Sequence, residues 1–160
     1  MTFRMDKLTI KAQESVVRAQ SLASEKGHPE IDSLHLLSAL LSEQEGIVKP
    51  LLEKIGVQLG QLQSMLGSEL DRLPKVSGGA TPQPNQQLQA VLNASAAEAD
   101  TMRDEFVSTE HLLLALTKTE CKVKNLLQLN GVRENDVLAA LKTLRGSTRV
   151  TDQNPEEKFQ

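Results

Sequence analysis

The sequence predicts an all-α fold: a duplicated four-helix repeat, about eight helices in all, packed with pseudo-two-fold symmetry. Three observations carry that expectation. Apolar residues recur three or four apart over long stretches, as on one face of a helix. Strand signals are missing, with no Trp or Tyr, only Phe3, Phe106 and Phe159 as aromatics, and no alternating Val-rich run. A ten-residue pattern occurs twice, once over residues 31–40 and again over 107–116.

The two copies keep register. Ile31-Asp32-Ser33-Leu34-His35-Leu36-Leu37 matches Val107-Ser108-Thr109-Glu110-His111-Leu112-Leu113 at an offset of 76. After a one-residue gap, Leu51-Leu52 matches Leu126-Leu127 and Gly56-Val57 matches Gly131-Val132, both at 75. Upstream, Ala12, Val16 and Ala23 fall opposite Leu88, Leu92 and Ala99. Repeat one is expected at about 5–73, a connector at 74–84 and repeat two at about 85–146.

Within repeat one, the first helix is expected over 5–25, with Leu8, Ala12, Val16, Ala19 and Ala23 on one face. Gly27-His28-Pro29 interrupts it, since proline disfavours helix in the residue before it. Asp32 is the expected N-cap of the second helix, and Ser108, with Thr109 as fallback, plays that part in repeat two. His35 and His111 each lie three residues after such a cap, where a ring can close the first turn or pack between units. Residues 43–46 end the second helix. Pro50 then fits a short third helix only in its first turn, where its missing amide has no intrahelical partner. Gly56 and Gly131 read as left-handed helix stops. A fourth helix follows at about 59–73, with its counterpart at about 134–144. The connector, with three prolines and two glycines, reads as solvated chain, and 147–160 as a flexible polar linker.

Composition narrows function. A net charge of −3 without a basic stripe argues against nucleic acid, and no aromatic platform is present to stack bases. The apolar runs 34–41 and 112–116 are far too short to span a bilayer. The first ten residues lack the apolar segment of a secretory signal, and Cys121 is the single cysteine, so a cytoplasmic location is expected. Neither a Walker-type phosphate loop nor a G-x-G-x-x-G turn occurs, so no cofactor is expected to bind. No spacing of histidines, cysteines and carboxylates matches a metal site. Cys121 has no activating neighbours in sequence, and a small hydrolase using His111 with Glu110 or Cys121 lacks a nucleophile–base–orienter pattern. No catalytic residue is expected. Asp104, Glu105 and Glu110 flank the start of the second Leu-rich helix, either as a solvated helix start or as the polar rim of a groove.

The repeated His-Leu-Leu segment with its matched Gly-Val helix stops resembles the double Clp N-terminal repeat of the AAA+ unfoldases, from Leu8 to Arg145. Leu73-Pro74-Lys75-Val76 and the stretch from Arg145 to Glu157 resemble the inter-repeat joint and the trailing linker of the ClpB-type disaggregases. The resemblance implies an excised or truncated substrate-handling domain of an ATP-driven hexameric ring that works with the DnaK chaperone system. The isolated chain is then expected to be monomeric. It implies binding of exposed apolar segments of unfolded or aggregated clients in a groove between the repeats. Leu8, Thr9, Ala12, Leu88, Val91 and Leu92 would supply the wall, while Thr9, Asp104 and Glu110 match positions associated with client handling. His111 departs from relatives with an apolar residue there. The alternative within the family is an adaptor- and substrate-docking domain of a Clp protease unfoldase.

Overall fold

The computed structural model describes residues 4–79 and 81–146; the expected linker at 147–160 lies outside the described residues. A 3-10 turn, Met5–Lys7, precedes helix α1 (Ile10–Glu25). Helices α2 (Ser33–Ser42), α3 (Val48–Ile55) and α4 (Leu59–Asp71) complete the first unit. The second unit holds α5 (Gln86–Thr101), α6 (Thr109–Lys118), α7 (Lys122–Leu129) and α8 (Glu134–Arg145). Two-residue strands β1 (Glu30–Ile31) and β2 (Gln83–Pro84) pair in parallel.

The first helix starts later than its apolar periodicity predicts. Thr9 caps α1, its hydroxyl accepting from the Ala12 amide at 3.2 Å. Leu8 is extended because it pairs in parallel with Val107. The Thr9 amide donates to Val107 O at 2.9 Å and the Val107 amide to Lys7 O at 2.8 Å. Burial of Leu8, fully inaccessible, thus comes from cross-repeat pairing and not from the face of α1.

That pairing exposes the pseudo-two-fold. Adding 76 to Leu8 and Ile31 gives Pro84 and Val107, so the Leu8–Val107 bridge is the image of the Ile31–Pro84 bridge. Hydrogen bonding repeats too: the Asn85 amide donates to Ile31 O at 3.0 Å, matching Thr9 to Val107. Asn85 caps α5 as Thr9 caps α1. Part of the expected solvated connector is consequently ordered, since Gln83 and Pro84 form β2 and the Val76 amide donates to Gly27 O at 2.9 Å.

The central helices are α2 and α6. Apolar nearly all round, they are buried on every side, as such helices must be. Leu34, Leu37, Leu112, Leu113 and Leu114 have no exposed surface. Pro50 falls in the first turn of α3, as its chemistry requires.

Helix stops are duplicated in detail. Gly56 and Gly131 have φ of 104° and 79°. Each donates to the carbonyl three residues back (Glu53 and Gln128), while Val57 and Val132 donate to Leu52 and Leu127. After α1 and α5 the same turn recurs, but with Gly27 (φ 74°) in one copy and Arg103 (φ 60°) in the other. An L side chain in the left-handed region costs about 1 kcal/mol, and Arg103 carries that strain. A Cβ at Gly131 would meet nothing within 4 Å, so its constraint is conformational alone. We expect Gly131→Ala to destabilise by about 1 kcal/mol and Arg103→Gly to stabilise by up to about 1 kcal/mol. Urea denaturation of both variants checks the opposite signs.

Candidate functional site

A groove of about 570 Å³ runs between α1 and α5, closed at one end by β1 and β2. Val16 and Val17 come from α1, Leu92 and Asn93 from α5. These are equivalent positions, 76 apart, so the groove straddles the pseudo-two-fold. The core-facing stripe of α1 is Ala12, Ser15, Ala19 and Ala23, all small. Val17 lies off that stripe and remains 56% exposed; Met5, on the 3-10 turn, remains 41% exposed beside it. Ile31 and Leu92 form the buried floor, with Gln20, Pro82, Gln83, Pro84 and Gln89 around the edge. None of the described lining residues is charged.

Beneath the Leu-rich helices lies a second arrangement, wholly polar. Asp32 and Ser108 cap α2 and α6, and the histidine at the third helical position completes each capping box. His35 Nδ1 accepts from the Asp32 amide at 2.8 Å, and His111 Nδ1 accepts from the Ser108 amide at 2.8 Å. The geometry therefore assigns the Nε2–H tautomer to both rings. From there the copies diverge. His111 Nε2 donates to Asp104 Oδ2 at 2.7 Å, whereas His35 Nε2 donates to His28 Nδ1 at 2.7 Å. His28 and Asp104 are themselves equivalent positions.

In the second copy the network extends. Arg145 donates to Asp104 Oδ1 and to Glu110 Oε2, the latter at 3.4 Å, and Ser108 Oγ donates to Glu110 Oε1. Every member is at most 7% exposed. The matching residues of the first copy are Leu34 (for Glu110) and Leu70 (for Arg145), both buried. Asp104, His111 and Ser108 resemble a hydrolytic triad in composition. Their geometry is closed, because the Ser108 hydroxyl is committed to Glu110, His111 Nδ1 accepts the Ser108 amide, and none of the three side chains has accessible surface for a substrate to reach.

Burial lowers the basicity of the histidines in the first copy. Desolvation first, then the adjacent His28, push His35 down to about 4; burial likewise lowers His28, helped by the charges of Lys26 and Lys75. Burial raises the Cys121 thiol, which keeps it protonated and unreactive. Among the described residues no cluster of His, Cys, Asp and Glu has the makings of a metal site. No helix there is long and apolar enough to cross a membrane.

The model of the Clp repeat N-terminal domain matches residues 7–130. The chain belongs to this family. It is 51% identical over 160 residues to a chaperone protein ClpB of Rhodopirellula baltica, covering all of this chain and 18% of that protein's length. The Hsp104 N-terminal domain of Candida albicans superposes with a TM-score of 0.84 at 22% identity, covering 94% of this chain and 99% of that one. A ClpV N-domain solved in complex with a VipB peptide gives a TM-score of 0.68 at 20% identity, covering 85% and 89%. At those identities the solved structures establish a shared all-α fold.

In this Clp repeat domain the sequence-selected residues gather near the seam, but nearly all lie beneath the surface. Leu8, Thr9, Ala12 and Val91 have no exposed surface, Leu88 has 3% and Leu92 has 6%. Only Leu92 lines the groove. Asp104 and Glu110 do not form a solvated rim; their side chains are 0% and 2% exposed and face Arg145. His111 sits in that network and not at the groove's edge. Sequence reasoning missed Val17, Gln89, Asn93 and Arg145. The 76-residue offset holds the signal for Val17 and Asn93, the chain neighbours of the aligned Val16 and Leu92.

Two outcomes are expected. Arg145→Leu leaves two carboxylates buried with their cation removed and should cost about 3–5 kcal/mol, while adding Glu110→Leu, which restores the apolar pair of the first copy, should recover much of that stability. Denaturant melts of the single and double variants measure it. Because the folded His35 titrates near 4 and the unfolded residue near 6.5, the unfolded chain binds more protons between those values. Stability is complete above pH 6.5 and should fall by about 3 kcal/mol as pH drops to 4, a slope that His35→Gln flattens.

Proposed function

We propose that this domain is the client-binding N-terminal module of an ATP-driven, ClpB-type disaggregase. It takes exposed apolar segments of unfolded or aggregated proteins into the groove between its repeats. The observation that carries this reading is the uncharged groove on the pseudo-two-fold, with Val17 and Met5 exposed beside the apolar floor of Leu92 and Ile31. Exposed valine and methionine at a concave seam are poor choices for a surface that only meets water. The ClpV N-domain seen with a VipB peptide supports a peptide-binding role for the fold.

The same reading assigns ATP use, a hexameric ring, cooperation with the DnaK system and a cytoplasmic location to the longer protein of which such a domain is part. The groove residues then act directly, and the buried set acts through packing. Leu8, Thr9, Ala12, Leu88 and Val91 hold α1 and α5 at their separation, and Asp104 and Glu110 fix the start of α6. Client binding favours apolar burial at about 25 cal/mol per Å² before ordering costs, which in a shallow groove gives dissociation constants of about micromolar to millimolar. An adaptor-docking role is separated from this one by offering the chain a folded adaptor and an unfolded client side by side.

Val17 is exposed, so its substitution tests binding without testing folding. In an NMR titration with an unfolded client, shifts should centre on Val16, Val17, Leu92 and Asn93, and Val17→Asp should weaken binding by about ten-fold. Shifts confined to α3, α4, α7 and α8 would remove the groove from consideration.

A further inference from the structure

We propose that the groove reads the main chain of an extended, uncharged client segment through side-chain carboxamides on both of its walls. This inference rests on the client-binding reading above and specifies its substrate class. Charged residues make up 24% of the chain, yet none lines the groove among the described residues. The hollow between α4 and α7, in contrast, is flanked by Glu69, Arg72 and Lys122. In place of charges the groove carries Gln20 on α1, Gln83 on β2, and Gln89 and Asn93 on α5. A carboxamide offers both an acceptor and donors, as a peptide group does, and costs far less to desolvate than an ion.

Their spacing suits a strand. Gln89 and Asn93 stand one turn apart, an axial rise of about 6 Å. An extended chain advances about 6.6 Å per two residues, the interval at which peptide groups recur on one edge. Two successive outward-facing peptide groups therefore fall opposite these two carboxamides, while Gln20 faces the other edge from α1. Gln89 Nε2 already donates to Pro84 O at 3.0 Å, which orients the group and leaves its oxygen to accept from a client N–H. The side chains of Gln20 and Asn93, on α1 and α5, have no hydrogen-bond partner among the described residues. Client side chains on the inward face meet Val16, Ile31 and Leu92. Such a groove selects for available backbone and apolar side chains in alternation, disfavours charge, and reads no particular sequence.

The test uses the 160-residue chain with a capped, uncharged decapeptide of Leu, Val and Ser, and the same peptide N-methylated at alternate residues. Affinities are measured by calorimetry for the natural chain and for Gln89→Leu and Asn93→Leu, singly and together, which keep bulk and remove the carboxamide. N-methylation should weaken binding to the natural chain by about five-fold for each hydrogen bond it abolishes. In either variant that penalty should lose about one such five-fold factor, and in the double variant it should shrink to within about two-fold, the signature of shared hydrogen bonds. Affinity should change by less than about two-fold between about 50 and 500 mM salt. An N-methylation penalty unchanged in the variants, or a steep salt dependence, would overturn the carboxamide reading while leaving groove binding intact. A peptide that perturbs neither Val17 nor Leu92, or sedimentation showing a dimer that closes the groove, would overturn the client-binding reading itself.

Discussion

Two crossed parallel bridges hold this fold in place: Leu8 to Val107 and Pro84 to Ile31. Each joins the residue before one N-cap of a repeat to the residue before a different N-cap of the other repeat. Because every bridged segment continues directly into an N-cap, the seam fixes where α1, α2, α5 and α6 begin. Thr9, Asp32, Asn85 and Ser108 all cap from this one region, and Asn85 Nδ2 donates to Asp32 Oδ1 at 2.9 Å across it. The bridges also bring α1 and α5 to the same side of the seam. The groove is the space left between two like helices whose separation is set by backbone pairing and by the buried residues beneath it.

Around that symmetric frame the two copies have diverged electrostatically. The first copy places Leu34 and Leu70 where the second places Glu110 and Arg145, an exchange of two apolar residues for two opposite charges. His28 of the first copy stands where Asp104 of the second meets the same cation. Charges so deeply buried are sustained only as a set, since desolvation of each ion is offset by its partners and hydrogen bonds. The first copy fills the matching positions with a buried apolar pair, Leu34 and Leu70. The exchange makes the halves chemically distinct at the starts of α2 and α6.

Much of this was legible in the sequence, and the reason is duplication. Asp32, Ser108, His35, His111, Gly56, Gly131 and Pro50 stand where their local chemistry predicts, because caps and stops depend on a few neighbouring residues. Burial of the site was less legible. Thr9 reads as a surface residue, but its hydroxyl caps α1 and its amide joins a bridge to a residue 98 positions away (107 minus 9). Asp104 and Glu110 read as a solvated pair, since nothing nearby in the chain announces Arg145. One signal existed: aligned by the repeat, Leu34 to Glu110 and Leu70 to Arg145 are changes of opposite sign at core positions, which is what a buried ion pair looks like in a duplicated chain.

The position of the groove follows from the same duplication. Well-packed interfaces set large side chains against small ones so that they interdigitate. On a pseudo-two-fold each helix meets its own image, and equivalent positions share the groove: Val16 with Leu92, Val17 with Asn93. Side chains of similar size cannot fill one another's gaps, so the axis is where a duplicated domain is least able to close its surface. Filling that gap with charges would cost desolvation on every closure, whereas apolar and carboxamide groups keep it tolerant of both water and polypeptide. A shallow, uncharged seam of this kind binds weakly by itself. On the proposed reading, weakness is compatible with function because several copies presented together raise the effective concentration of the site without any new interaction at the groove.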